Sequence, residues 1–273
     1  MNLSVEIAGR TWRFNPEQST DWTTPVAFSS GGAEAFGLTE RHHRAVDVGG
    51  GFVLEVAKGA SVNCANVTFN PHSHGTHTEC VGHITADRRL ISEITIAPLL
   101  PATMVSVAPV LLSSTDEGYD GSHRGDDHVI SGALLERALA SVTVAGFDQA
   151  LVLRCVEAPD ASRAWSGTNP PYLTREAIDF LSRGPYQHLI TDLPSLDRED
   201  DGGGVPNHRA WWGLAAGASE SSEALFAQRT VTEMAFIGPD QPDGPWLLSL
   251  QPAALESDAA PSRLLAMRPQ ATT

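Results

Sequence analysis

The sequence has few cysteines, few basic residues and no long apolar run. Its three cysteines, Cys64, Cys80 and Cys155, include no C-x-x-C pair. Neither a disulfide framework nor a thiolate metal site is therefore indicated, and a reducing compartment is expected. No basic and apolar leader opens the chain, and no apolar run approaches the roughly 18 residues that span a membrane. We expect a cytoplasmic protein with no membrane partner.

Positive charge is scarce, since 18 Lys and Arg stand against 33 Asp and Glu and leave a net charge of −15. Nucleic acids and anionic surfaces attract basic proteins, so this balance argues against a nucleic-acid partner. Hydrophobic residues make up 41% of the 273 positions, which suits a globular enzyme with a substantial core. We predict a single domain over residues 1–273, in which residues 1–50 form an N-terminal hairpin and a covering loop.

Apolar periodicity predicts a mixed α/β architecture. Two short alternating segments around Gly9 predict a β-hairpin, and residues 15–50 are turn-rich. Further strands are predicted at 52–56, 62–69, 104–110, 149–156, 188–192, 229–237, 246–250 and 263–267, with helices at 131–139 and 172–181. Because the second helix lies between two strands, those strands should be parallel. We therefore expect a mixed, partly parallel sheet.

Residues 71–83 concentrate imidazole and carboxylate groups, in the segment Pro71-His72-Ser73-His74-Gly75-Thr76-His77-Thr78-Glu79-Cys80-Val81-Gly82-His83. His77 and Glu79 project from the same side of an extended chain, and His83 follows Glu79 at the spacing of one helical turn. Imidazole and carboxylate are ligands of Zn and other divalent transition metals, and three such ligands with an open position are typical of catalytic sites. The segment predicts a metal site, with a solvated histidine-rich loop as the alternative.

The segment resembles the signature H-x-G-T-H-x-D-x-P-x-H of the putative cyclase family, metal-dependent hydrolases that include bacterial kynurenine formamidase and isatin hydrolase. Gly75-Thr76-His77 and His83 stand in register with it, whereas Glu79 replaces the family Asp and Val81 replaces the Pro. Ser73 stands where the first ligand His would fall. The resemblance therefore implies that His72 takes this role, and His74 is the alternative.

A second part of the chain resembles the same family. Leu193-Pro194-Ser195-Leu196-Asp197 and the later Asn207-His208 resemble a D-x-P-S-x-D turn that leads to a ligand His, which implies that His208 binds metal. The resemblance also places a ligand Glu downstream, and Glu233 is the carboxylate of the apolar segment 229–237. Burying a carboxylate without a partner costs free energy, and a bound metal would remove that cost. The alternatives are an ordinary helix-start histidine and a surface glutamate paired with Arg229.

The resemblance implies an α/β domain of the swivelling β/β/α type and a hydrolase that cleaves a small amide, formamide or cyclic amide, as an arylformamidase does. It would use one or two divalent ions, Zn or Mn, and its implied metal ligands are His72, His77, Glu79, His208 and Glu233. His83 remains as the catalytic proton carrier, because imidazole exchanges protons near neutral pH. A small-molecule substrate and a homo-oligomer are expected. The alternative function is a non-catalytic metal-binding protein.

Two other groups of reactive residues are interpreted without a metal. The loop 113–127 carries a cluster of acidic and histidine residues in which Asp126-Asp127 leads into the helix predicted at 131–139. Capping and the helix dipole explain acidic residues there, and a metal site is the alternative. Cys80 is interpreted as a packing residue rather than a nucleophile, because it lacks a base that is free of other duties.

Overall fold

A computed structural model describes residues 2–28, 31–155 and 159–270. The strands, numbered in chain order, are β1 Leu3–Ile7, β2 Arg10–Phe14, β3 Thr20–Asp21, β4 His42–Ala45, β5 Ala65–Thr68, β6 His77–Glu79, β7 Leu100–Val107, β8 Val110–Leu111, β9 His128–Ile130, β10 Ala150–Cys155, β11 Tyr172–Leu173, β12 His188–Thr191, β13 Thr230–Glu233, β14 Gly244–Pro252 and β15 Ala259–Met267. The α-helices are α1 Gly132–Val142, α2 Arg175–Ser182 and α3 Pro206–Trp212. Short 3₁₀ helices occur at Pro16–Gln18, Val56–Lys58, Val81–Ile84, Ile91–Glu93, Leu112–Ser114 and Ser221–Glu223.

The main sheet closes on itself. Its strands follow the order β14-β7-β10-β12-β13-β6-β15, and β15 pairs back with β14 to complete a barrel of seven strands, while the short β3 pairs with β15 at Leu265 and Ala266. The pairs from β7 through β10 and β12 to β13 are parallel, and the remaining pairs of the ring are antiparallel. The predicted mixed, partly parallel sheet is confirmed.

The helices α1, α2 and α3 each lie in a connection between two neighbouring parallel strands, and the strand–helix–strand pattern predicted this for α2. Ser131 caps α1 by accepting the N–H of Leu134, and Thr174 caps α2 by accepting the N–H of Ala177 at 3.1 Å. Both caps satisfy backbone donors that have no partner inside the helix. The hairpin of β1 and β2 is also present. Of the strand predicted at 149–156, Val156 lies outside the described residues.

Apolar side chains form separate cores on the two faces of the barrel wall. The interior core includes Met104, Val152 and Trp246, and the outer core packs residues such as Leu151 against the three helices. On β6, Thr78 is hydrogen-bonded to the Thr232 and Ser262 hydroxyls and belongs to the interior. Because side chains alternate along a strand, His77 and Glu79 face outward, toward the side that the helices cover.

Three sequence-based expectations are wrong. Residues 52–56 form no strand but an isolated bridge at Val53 and the turn Val56–Lys58, and both Phe52 and Val56 are exposed. Without a buried face to join, this apolar segment gains nothing from sheet pairing. Asp127 does not lead into α1, because β9 intervenes, and its carboxylate is buried in an ion pair with Arg198 at 2.8 Å. Residues 256–261 were expected to form a polar link, but β15 begins within this segment, at Ala259.

None of the helices in the described residues is long and apolar enough to cross a bilayer.

Candidate metal centre

Two neighbouring strands place three of the expected ligands side by side. In the antiparallel pair β6–β13, His77 is opposite Glu233 and Glu79 is opposite Val231. All three side chains are buried, with at most 2% of the residue surface exposed. His77 Nε2 lies 3.2 Å from Glu79 Oε1 and 3.5 Å from Glu233 Oε2. The register of the sheet, which the sequence does not reveal, thus brings together groups separated by more than 150 positions.

His208 reaches the same place from α3. The N-cap residue of this helix provides no side-chain cap, and Asp197 does so instead by accepting the backbone N–H groups of Asn207 at 2.8 Å and His208 at 3.1 Å. The same carboxylate lies 2.6 Å from His208 Nδ1. With Nδ1 bound in this way, His208 Nε2 points to the centre, 3.4 Å from Glu79 Oε2 and 3.4 Å from Glu233 Oε1.

The loop before β6 brings in His72 and turns His74 away. Gly75 has φ +137°, and a Cβ there would lie 2.7 Å from the Thr24 carbonyl oxygen, so only glycine fits this bend. His72 Nδ1 lies 2.6 Å from Glu79 Oε1. His74 Nδ1 instead accepts the N–H of Asn70 at 2.9 Å. Of the two alternatives for the first ligand, the structure places His72 at the cluster.

In His72, His77 and His208, one ring nitrogen faces the carboxylates of Glu79 and Glu233. The other ring nitrogen faces an oxygen atom outside this group, called the outer acceptor here. The outer acceptors are Asp258 for His72 at 2.9 Å, the Gly75 carbonyl for His77 at 3.0 Å and Asp197 for His208 at 2.6 Å. Histidines that bind metals are held by this arrangement, which fixes the tautomer and aims the other nitrogen at the ion.

The buried imidazoles and carboxylates of this cluster shift one another's pKa values. Burial alone would lower the pKa of His72, but the adjacent Glu79 and Asp258 raise it to about 10. Against the same effect of burial, Glu233 and Glu79 raise the pKa of His77 to about 9. The pKa of His208 also lies well above its usual value despite burial, because the carboxylates of Asp197, Glu233 and Glu79 lie next to its ring.

The glutamate at the middle of the cluster shifts in the opposite direction. Burial would raise the pKa of Glu79, yet the adjacent imidazoles of His83, His72 and His208 hold it well below its usual value. Imidazoles with raised pKa values carry protons that neutralise the buried carboxylates. A divalent cation can provide the same positive charge, and its binding releases such protons.

The donor set has the features expected of a metal site. Glu79 Oε2 and His208 Nε2 are buried and, although they lie 3.4 Å apart, neither makes a hydrogen bond with the other or with any other described residue. Buried polar atoms without a partner are rare and costly, so two of them facing one point indicate a missing partner. Ligand atoms close enough to hold an ion occur in the groups His72, His77, Glu79 and Glu79, His208, Glu233, which share Glu79. Imidazole and carboxylate donors fit Zn or Mn.

His83 lies at the rim of the cluster. It is in the 3₁₀ turn Val81–Ile84, and its side chain is 29% exposed. Its ring stacks on His72 with centroids 4.3 Å apart, and its Nδ1 lies 3.2 Å from Asp258 Oδ2. With His72 and Asp258 it forms a third group that could hold an ion. A cleft of about 340 Å³ opens beside it, lined by residues that include Thr85 and Arg88.

The other candidate groups do not join the centre. No residue of the 113–128 cluster belongs to a group of potential ligands among the described residues. Burial raises the pKa of the Cys80 thiol to about 12, and its Sγ donates to the Arg89 carbonyl, which suits the packing role and not a nucleophile. Arg229 packs over the rings of Trp211 and Phe226 and donates to backbone carbonyls, so its expected alternative role as a surface partner of Glu233 is wrong.

Sequence reasoning missed two carboxylates. Asp197 appeared only as part of a motif, although its spacing before a helix that lacks a capping side chain was a usable signal. Asp258 gave no signal, because a single aspartate in a polar segment is typical of any surface loop. Its role depends on the pairing of Ala259 with Glu79, which is a long-range contact.

Solved structures share this fold at low sequence identity. Isatin hydrolase A from Labrenzia aggregata, bound to benzyl benzoate, has a TM-score of 0.60 and 15% identity, over 93% of this chain and 94% of that chain. A predicted metal-dependent hydrolase from Bacillus stearothermophilus has a TM-score of 0.58 and 14% identity, over 92% and 98% of the two chains. Isatin hydrolase A from Ralstonia solanacearum has a TM-score of 0.55 and 16% identity, over 92% and 91%. These identities establish the fold alone.

No curated protein matches the sequence. The model of the family described as "Putative cyclase" matches residues 1–198, which include the segment from His72 to His83 and end before His208, Glu233 and Asp258. The convergence of those later residues on the centre is therefore an observation of the structure. Since the match covers well over half of the chain, this protein belongs to the putative cyclase family.

Proposed function

We propose that this protein is a metal-dependent hydrolase that cleaves the carbon–nitrogen bond of a small amide, formamide or cyclic amide. The observation that supports this most strongly is the pair of buried atoms without partners, Glu79 Oε2 and His208 Nε2, at the centre of a cluster of imidazoles and carboxylates. A cluster that served only for stability would have its polar atoms paired.

The ligand set accommodates one or two divalent ions. His72, His77 and Glu79 would hold the first, Glu79 with His208 and Glu233 the second, and Glu79 would bridge them. Both Zn and Mn accept these donors. When bound, such an ion acts as a Lewis acid that polarises a carbonyl group and lowers the pKa of water.

The protein's own contribution to the reaction is positioning and proton transfer. His83 is the one histidine of the motif that stands between the buried cluster and an open cleft, so its ring can reach both the centre and a bound substrate. It would take a proton from the attacking water and return it to the departing nitrogen, as a general base and acid. The buried carboxylates hold the ligand imidazoles in place.

The substrate class rests on the size of the cleft and on relatives. A cleft of about 340 Å³ suits a small molecule. Two proteins of this fold are isatin hydrolases, and isatin is a cyclic amide. An aryl formamide and a cyclic amide are therefore the first substrates to test.

The test compares metal content and hydrolysis in His83→Ala, with the exposed His123→Ala as the control. Removing a positioned acid or base usually costs about 10²–10⁴-fold in rate. We expect His83→Ala, loaded with Zn²⁺ or Mn²⁺, to keep its metal and fold and to lose that much kcat, while His123→Ala resembles the wild type. Loss of metal from His83→Ala would make His83 a ligand instead, and a metal-loaded wild type that hydrolyses no amide would favour the non-catalytic alternative.

A further inference from the structure

Asp258 reaches the centre from the start of β15 and lies outside the ligand set implied by the family resemblance. Cys80, the residue after Glu79, donates its backbone N–H to the Asp258 carbonyl at 3.0 Å. Ala259, the next residue in the chain, is the strand partner of Glu79. Sheet pairing therefore holds the Asp258 backbone beside the central carboxylate, and a group held by rigid elements can orient its neighbours precisely.

One carboxylate oxygen of Asp258 contacts two imidazoles. Its Oδ2 lies 2.9 Å from His72 Nε2 and 3.2 Å from His83 Nδ1. The other oxygen, Oδ1, accepts a hydrogen bond from the Ser257 hydroxyl at 3.1 Å. An ionised carboxylate only accepts, so both ring nitrogens donate to it. This shared acceptor and the ring stacking fix the orientation of His83 from two directions.

These hydrogen bonds select the tautomer of each ring. A neutral His83 that donates from Nδ1 has its lone pair on Nε2, which becomes the atom that can take up a proton. His72 donates from Nε2 to Asp258 and from Nδ1 to Glu79 Oε1 at 2.6 Å, and a cation that replaced the Nδ1 proton would leave the hydrogen bond to Asp258 in place. Nδ1 of His72 is then the nitrogen available to a cation.

We propose that Asp258 is a positioning residue that, through one carboxylate oxygen, holds His72 for metal binding and His83 for proton transfer. The proposal rests on the proposed function, because it assigns Asp258 a part in the same site. It makes the orientation of a ligand and of the proton carrier depend on a single side chain. Removing that side chain should therefore change metal affinity and turnover together.

The experiment compares Asp258→Ala and Asp258→Asn with Asp240→Ala, an exposed carboxylate in the connection between β13 and β14. Nitrogen-15 NMR of the histidine rings reports the tautomers without any substrate. Titration with ZnCl₂ alone gives the dissociation constant of the ion, and steady-state hydrolysis of an aryl formamide or a cyclic amide gives kcat and KM. The three measurements separate orientation, binding and turnover.

In Asp258→Ala we expect the nitrogen-15 spectrum of His83 to lose the signals of the tautomer that is protonated at Nδ1. Loss of an outer partner of a ligand histidine typically costs about 10–100-fold in metal affinity or activity, so the zinc Kd should rise and kcat should fall by that factor, with KM nearly unchanged. Asp258→Asn keeps one acceptor oxygen and should lie between Asp258→Ala and the wild type. Asp240→Ala should match the wild type in all three measurements.

An unchanged Nδ1–H pattern of His83 together with an unchanged zinc Kd in Asp258→Ala would overturn the proposal. A role confined to folding would reduce the yield of folded protein without changing the tautomer or separating kcat from KM. If the wild type binds zinc but hydrolyses no amide, the proposed function fails, whereas the tautomer and the Kd still decide whether Asp258 positions the two rings.

Discussion

Glu79 is the residue on which both candidate metal groups depend. Its Oε1 lies near His72 and His77, and its Oε2 faces His208. Glutamate is one methylene longer than the aspartate of the family signature, and the fold accommodates the extra length with the side chain almost fully buried. Both oxygens face imidazoles, so the longer side chain is compatible with the proposed bridging role.

Replacing Glu79, His208 or Glu233 by Ala is expected to lower metal content as well as hydrolysis. Each replacement removes a donor from the group that contains the buried atoms without partners, and an incomplete donor set binds an ion more weakly. Metal per chain, measured by elemental analysis after dialysis against trace Zn²⁺ or Mn²⁺, checks this, and His123→Ala serves as the control. Full occupancy in His208→Ala would rule out the two-ion assignment.

The residues of the centre differ in how far the sequence reveals them. His77 and Glu79 are recognisable because their spacing on a strand decides their direction locally. The choice between His72 and His74 depends on the bend at Gly75, which the sequence suggests but does not orient. Asp258 could not be found, because its role arises from a strand pairing and not from its neighbours in the chain.

At the scale of elements, β12 carries a buried histidine that is separate from the metal centre. His188 opens this strand, and its Nδ1 lies 2.9 Å from the Thr230 hydroxyl of β13. Burial lowers its pKa to about 4 from the usual 6.5, because the protonated ring loses its hydration. The folded protein therefore keeps His188 neutral at pH values where the unfolded chain is protonated.

This difference predicts a pH dependence of stability. Between pH 6.5 and 4 the unfolded chain binds a proton that the folded chain does not, so the free energy of unfolding falls as the pH falls. At about 1.4 kcal/mol per pKa unit, the loss is on the order of 3 kcal/mol. Urea unfolding of the wild type and His188→Asn, both with chelator, should show a smaller decline in the variant across this range. Parallel curves for the two proteins would contradict the assignment.

The elements themselves were predictable to different degrees. The first hairpin and the Thr174 cap follow from local patterns, and the parallel pair β10–β12 follows from the helix between them. The apolar segment 52–56 failed as a strand because periodicity does not report whether a partner strand is available. Asp127 failed as a helix-start residue because its partner, Arg198, lies 71 positions away.

At the scale of the whole molecule, barrel closure creates the face on which the centre lies. Closure requires β14 to pair with both β7 and β15, which joins residues near 100 to residues near 248 and 266. Such distant pairings leave no trace in local sequence, so the sheet could be predicted as mixed but not as closed. The closed wall separates an apolar interior from the outer face, where the helices bury the histidines and glutamates.

The central claim is that this buried cluster is a metal centre. An anomalous-difference map from crystals grown with Zn²⁺ or Mn²⁺ tests it most directly, because it locates the ion relative to each donor atom. We predict a peak at coordination distance, about 2.0–2.2 Å for Zn, from Glu79 and His208. A map without a peak at the cluster, with Glu79 and His208 hydrogen-bonded to each other or to water, would contradict the account.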